Sequence, residues 1–282
     1  MPNSPLAIIT GKGRLPEMLA KTAKQNGRKV LLVCFNGFRP DWVTTEELVD
    51  VTFEKPGKIF KALKQAGCHE VVFAGHIARP RMNPLKFDLK LISIAAKLLP
   101  ALKSGDSKTL DAVRAVFEAE DIKIIGAHEV LTDLLAPCGT LTKAKPSADD
   151  FTDMERAKTI VTQMGIADVG QGAVVAQGLC LGVETIQGTD AMLRFIALNS
   201  DGCRPNAKSG QGVLVKAPKQ GQDWRIDLPA IGPETIENAA KAGLSGIAVQ
   251  DQGVLILGLV ETIAMADRFG LFIHGFEAQK VS

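Results

Sequence analysis

Short apolar runs alternate with helical periodicity through the first half of the chain. Residues Leu6–Thr10 form one such run and end in Gly11-Lys12-Gly13, after which Leu15, Met18, Leu19 and Ala23 recur at helical spacing as far as Gly27. The theme then repeats. Strand Val30–Phe35, helix Lys58–Ala66 stopped by Gly67, strand Glu70–Ala74, a turn at Gly75–Pro80, helices near Pro84–Leu99 and Asp106–Ala119, and strand Ile122–Ile125 follow in order. Strands alternating with helices predict a parallel sheet, and so an α/β domain over residues 1–136.

The stretch from Pro137 to Pro146, PCGTLTKAKP, has loop composition and predicts a linker. Beyond it, Ser147-x-x-Asp150 reads as a capping box that opens a helix to about Gly165. The order then changes: strands Ala173–Ala176 and Leu179–Glu184 stand side by side, a helix covers Asp190–Leu198, and strands follow near Gly212–Lys216 and Trp224–Leu228. A helix opened by Pro233, strands near Ile247–Gln250 and Val254–Leu257, a helix to Phe269 and a strand Leu271–His274 complete the chain. Adjacent strands interspersed with helices predict a C-terminal α+β domain with a mixed sheet over residues 147–282.

At 282 residues, with 46% apolar and 23% charged side chains, the composition is that of a folded protein with a sizeable core. A net charge of +2 without a basic stripe excludes a nucleic-acid binder. Five scattered cysteines without a CxxC pair indicate neither disulfides nor a zinc ribbon, and point to a reducing compartment. No signal-peptide pattern or membrane-length apolar run is present, so the cytoplasm is expected.

Gly11-Lys12-Gly13 stands where a parallel sheet offers backbone N–H groups to a phosphate, and it serves either as such a cradle or as a plain strand-to-helix turn. A dinucleotide site is disfavoured, because Pro16 replaces the third glycine and the second strand runs into Asn36 without the ribose-binding acid. The turn Gly75-His76-Ile77-Ala78-Arg79-Pro80 also follows a strand. His76 and Arg79 are candidate substrate contacts there, or a locally satisfied imidazole and a surface guanidinium.

In the second half, Lys216, Lys219, Arg225 and Asp227 lie within twelve positions and supply the charges that a diphosphate site requires. If Trp224–Leu228 is a strand, Arg225 and Asp227 share a face and Asp227 lies near its end. Thr189 and Asp190 are placed to cap a helix or to meet a phosphate at its start. Glu184 and Asp190 are also of the type that holds Mg²⁺. Gln171, in the turn Asp168-Val169-Gly170-Gln171-Gly172, is either a ligand contact or a turn residue. Residues Pro84–Lys103 place Lys86, Lys90, Lys97 and Lys103 among leucines and isoleucines, a pattern shared by interfacial helices and by core helices with solvated lysines.

Eight stretches, IITGKGRLP, GKIFKAL, VFAGHIARP, GAHEV, DVGQGAVV, VETIQGTDAML, VLVKAPK and RIDLPAIG, span nearly the whole chain. In this order they resemble the UDP-2,3-diacylglucosamine pyrophosphatases of lipid A biosynthesis, of the type unrelated to calcineurin-like phosphoesterases. The resemblance implies a dimeric, Mg²⁺-supported enzyme that hydrolyses UDP-2,3-diacylglucosamine to UMP and 2,3-diacylglucosamine 1-phosphate (lipid X), with water attacking the sugar-side phosphorus. It implies a Rossmann-like N-terminal domain and a distinct C-terminal domain, Asp227 as the catalytic aspartate and as a candidate Mg²⁺ ligand with Glu184 and Asp190, and substrate or metal contact for Gly11, Lys12, Gly13, Gln171, Thr189, Asp190, Lys216 and Lys219. An acylated substrate further implies peripheral contact with the inner membrane. The alternative is a non-catalytic nucleotide-sugar or lipid-binding protein.

Overall fold

A computed structural model describes residues 4–43, 48–77, 82–103, 105–200, 202–204 and 211–278. Arg79 lies outside the described residues. The chain forms two compact units. The first comprises Met1–Thr132 and Asp223–Asp227, and the second comprises Asp133–Gln222 and Leu228–Ser282.

The first unit holds strands β1 (Leu6–Thr10), β2 (Val30–Phe35), β3 (Leu48–Val51), β4 (Glu70–Ala74) and β5 (Lys123–Ile124). Its helices are α1 (Leu15–Gln25), α2 (Gly57–Gln65), α3 (Leu89–Ala101), α4 (Asp106–Glu118) and α5 (Ala127–Val130). The sheet is parallel throughout, in the order β3-β2-β1-β4-β5, so the chain direction across the sheet reverses at β1. Every residue of β1 is buried, as a central strand covered on both faces requires. Helix α1 buries Pro16, Leu19, Ala20 and Ala23 and ends where the Arg28 amide donates back to the Ala23 carbonyl at 2.9 Å. Val33, Leu63, Val71, Phe117 and Ile124 form the core on one side of the sheet, and Ile226 packs against it. Strand β3, paired with β2, was absent from the sequence expectation.

The second unit holds β6 (Gly139–Thr140), α6 (Ala148–Ile166), β7 (Gly172–Ala176), β8 (Leu179–Val183), α7 (Thr189–Asn199), β9 (Val213–Lys216), β10 (Ala230–Ile231), α8 (Pro233–Lys241), β11 (Gly246–Gln250), β12 (Leu255–Ile256), α9 (Leu259–Phe269) and β13 (Phe272–Phe276). Six strands form a mixed sheet in the order β6-β13-β11-β9-β7-β8, in which β9, β11 and β13 are parallel and the other three run against their neighbours. Helix α6 covers one face through Met154, Ala157 and Val161. Residues of α7, α8 and α9 cover the other. The capping box read at Ser147 is present: the Ser147 hydroxyl accepts the Asp150 amide at 3.2 Å, and Asp150 accepts the Ser147 amide at 2.8 Å. Strands β7 and β8 are joined through Gln177 and Gly178, both with positive φ, and the buried Asp153 carboxylate accepts both of their amides.

Two segments depart from the expectation. Within 137–146, read as a linker, Gly139–Thr140 is an edge strand on β13. Trp224–Leu228, read as a strand, is a turn in which the amides of Ile226 and Asp227 donate to the Asp223 carbonyl at 3.1 and 3.2 Å. Alternating polarity over five residues does not separate a strand from a turn that buries one apolar side chain, and here Ile226 is that side chain. Although it falls within 147–282, the segment is part of the first unit.

Candidate functional site

Because β1 and β4 are neighbours, the two glycine turns of the first unit meet at the carboxyl edge of the sheet. Gly11 donates to Ala74 O at 2.7 Å, and Lys12 and His76 exchange backbone hydrogen bonds, each 2.9 Å long. The approach is close enough to require glycine. A Cβ on Gly11 would lie 2.6 Å from His76 O, and one on Gly75, whose φ is +86°, would lie 2.4 Å from Lys12 O. The amides of Gly11 and Lys12 are thus engaged by β4 and its turn. What this edge presents is the exposed Gly13, the exposed side chains of Lys12 and His76, and the nearby ring of Phe38, over which Lys12 Nζ lies at 6.0 Å.

In the second unit the polar groups gather around the last residue of β9. Strand β7 runs antiparallel to both β9 and β8, which sets Gly172 opposite Lys216 and lets the Glu184 amide bond Gly172 O at 2.8 Å. The chemistry-bearing residues of 168–172 and 184–190 are thereby brought beside Lys216. Its side chain is only 4% exposed. The ammonium donates to Thr189 Oγ1 at 2.6 Å and to Ala230 O at 3.3 Å, and it lies 3.4 Å from Glu184 Oε2. Thr189 is the first residue of α7, whose start has no side-chain cap, so the buried cation sits under helix-opening N–H groups. Lys219 is ion-paired to Asp168 at 2.6 Å, and the buried Gln171 receives the Ala217 amide on its carbonyl at 3.1 Å.

The turn Asp223–Asp227 is held by charge. Arg225 grips Asp223 in a bidentate pair, Nε to Oδ1 at 2.9 Å and Nη2 to Oδ2 at 2.6 Å, and Arg114 of α4 approaches the same carboxylate at 3.3 Å. Hydrogen bonding from Arg225 and the charge of Arg114 hold the Asp223 carboxyl below its ordinary range. Arg225, read as a substrate contact, is thus engaged by Asp223. Asp227 follows in the same turn, half-buried. Asp223, Arg114 and Asn238 had not been singled out as site residues. The Asp223-x-Arg225 spacing was the available signal for the first, whereas Arg114 and Asn238 lie on distant helices.

Among the described residues no three His, Cys, Asp or Glu side chains gather as metal ligands. Of the acids expected to hold Mg²⁺, Glu184 has its charge matched by Lys216, which does not suit a second cation. Asp190 accepts from Asn238 Nδ2 at 3.0 Å and offers an oxygen donor of the kind that hard cations take.

Family models match the two halves in order: the LpxI N-terminal domain over residues 5–134 and the LpxI C-terminal domain over residues 137–274. The chain belongs to the LpxI family. It is 39% identical over 275 residues to the UDP-2,3-diacylglucosamine pyrophosphatase LpxI of Caulobacter vibrioides, a match that covers 98% of each chain. The eight stretches that carried the resemblance all lie within the matched ranges. Two of them, GKIFKAL and GAHEV, fall on α2 and α5; the other six include the joined glycine turns of the first unit, the Lys216 cluster of the second and the charged turn that carries Asp227.

Proposed function

We propose that this chain is a hydrolase that cleaves the diphosphate of UDP-2,3-diacylglucosamine in lipid A biosynthesis, yielding UMP and 2,3-diacylglucosamine 1-phosphate. The observation that carries the reading is the match to a pyrophosphatase of that name over 98% of each chain. The site chemistry agrees with it. A buried lysine beneath an uncapped helix start offers fixed positive charge to a diphosphate. Lys12 and the β1–β4 edge offer a separate contact for the nucleotide, with Gly13, Gly75 and His76 beside it.

In this reading Asp227 accepts a proton from water as the water oxygen attacks the sugar-side phosphorus. The bond from that phosphorus to the bridging oxygen breaks, and UMP leaves. Thr189, Lys216, Lys219 and Gln171 hold and orient the phosphates, and the Arg225–Asp223 pair fixes the backbone from which Asp227 projects. Asp190 would hold Mg²⁺, which would supply charge neutralisation to the diphosphate. We further propose a homodimer formed on the second unit, where edge strand β8 and helix α7 expose Leu179, Val183, Phe195 and Leu198. Peripheral contact with the cytoplasmic face of the inner membrane completes the reading.

The decisive experiment is UMP release from UDP-2,3-diacylglucosamine. Wild type should turn over with Mg²⁺ and stop with EDTA, and Asp227→Ala should lose about a thousandfold in rate while still binding substrate. Label from H₂¹⁸O should enter the sugar phosphate and not UMP. A protein that binds the substrate and releases no UMP is a carrier, which would overturn the proposal.

A further inference from the structure

Helix α3 inverts the usual distribution of a surface helix. Among its described side chains the exposed ones are Leu89, Ile92, Ser93, Ala96 and Pro100, spaced along one side of the helix, and none of these carries a charge. Leu89 is 86% exposed and Ile92 58%, and Leu85, in the 3₁₀ turn just before the helix, is 95% exposed. The charged groups near the helix start are turned to other work. Lys90 pairs with Glu120 and lies over the Phe60 ring at 5.3 Å. Asp88 accepts the amides of Gly57 and Leu91 at 2.8 and 2.7 Å, and Glu54 accepts the Asn83 amide at 3.3 Å. The three nearby carboxylates are thus satisfied within the unit, whereas Lys86 and Lys103 stand exposed at the two ends of the segment.

We propose that the outward face of α3, with the turn that precedes it, is a membrane-contact surface that lies on an anionic lipid bilayer. An exposed aliphatic face with the exposed ammonium groups of Lys86 and Lys103 at its ends complements a surface of apolar chains beneath anionic headgroups. Thirteen residues make a helix about 20 Å long, short of the ~30 Å of a bilayer core, so the helix lies along the interface rather than across it. No helix among the described residues is long and apolar enough to cross a membrane. A second copy of the chain fits this face less well, because a few hundred Å² of apolar surface falls below the ~800 Å² per partner of a stable protein interface.

The inference deepens the proposed reading, in which the acyl chains of the substrate reside in the bilayer, but its test needs no substrate. Full-length protein is pelleted with vesicles of phosphatidylcholine alone and of phosphatidylcholine mixed with phosphatidylglycerol. Binding is expected on the mixed vesicles and should weaken as salt is raised. The double variant Leu89→Ser/Ile92→Ser should lower that binding by about tenfold. Lys86→Glu/Lys103→Glu should abolish the preference for phosphatidylglycerol. Both double variants should keep the wild-type melting curve and hydrolyse detergent-dispersed substrate at the wild-type rate. Equal binding of wild type to both kinds of vesicle overturns the proposal, as does undiminished binding by the leucine–isoleucine variant. Loss of self-association in that variant, seen by sedimentation velocity, would give the face to a second copy. If the vesicle result fails while UMP is still released, the hydrolase reading stands without this surface.

Discussion

At the carboxyl edge of the first sheet the polar groups that meet are main-chain atoms, whereas at the end of β9 they are ionised side chains. Gly11, Lys12, Gly75 and His76 satisfy one another through amides and carbonyls, so their shape depends on the absence of Cβ atoms and hardly at all on charge. Lys216 is the opposite case. Its ammonium is buried, and Thr189, Ala230 and Glu184 replace the water it has lost. One edge tolerates charge changes and not volume; the other tolerates volume better than charge.

The comparison can be broken most sharply at Lys216. Lys216→Met should cost about 3 kcal/mol of stability in a chemical melt, because Glu184 is left without its cation, and adding Glu184→Gln should restore most of it. UMP release should fall roughly 100-fold in both variants, since neither keeps the charge beneath α7. A double variant as unstable as the single one would mean that the pair is not coupled. Next in size, Gly75→Ala should cost about 2–3 kcal/mol through backbone strain and contact with Lys12 O. Both tryptophans, Trp42 and Trp224, belong to the first unit, so fluorescence-detected urea unfolding reports this change directly. An unshifted midpoint would refute the packing of the two turns.

Smaller again, Asp223→Ala should cost about 1 kcal/mol, as expected for a partly exposed ion pair, yet slow UMP release about tenfold by loosening the turn that carries Asp227. A variant that changes KM and leaves kcat intact would count against that positioning role. The smallest effect concerns pH. Burial holds the His274 imidazole below its ordinary value of 6.5, so the unfolded chain takes up the proton first. The stability of the second unit should be intact above about pH 6.5 and decline as the pH falls below it, and His274→Asn should flatten that slope in melts taken between pH 7 and 5. An equal slope in the variant would show that the decline has another source.

Much of this was legible in the sequence because local signals agreed with the fold. The repeated apolar run, glycine and helical period gave the parallel sheet, and Ser147 with Asp150 marked the start of α6. Proximity in the chain also served the site where topology cooperates: Gln171, Glu184, Thr189 and Lys216 were separate candidates, and the antiparallel placement of β7 unites them. What was not legible depended on distant partners. Strand β6 is two residues long and exists through its pairing with β13, and no pattern shows that the Gly11 amide is already used. Reading Trp224–Leu228 as a strand failed for the same reason, since its partly buried Ile226 packs against a core more than ninety positions earlier.

That last residue has a consequence for the birth of the protein on the ribosome. The chain of the first unit is nearly complete at Thr132, but its final piece, Asp223–Asp227, emerges about 90 residues later. Until then the surface that receives Ile226 is uncovered, and Arg114 lacks the Asp223 carboxylate. Domains made in sequence commonly fold in sequence, yet here the older unit cannot finish before most of the younger one has been synthesised. The turn that carries Asp227 thus locks into place late, which ties assembly of the candidate catalytic group to synthesis of both halves of the molecule.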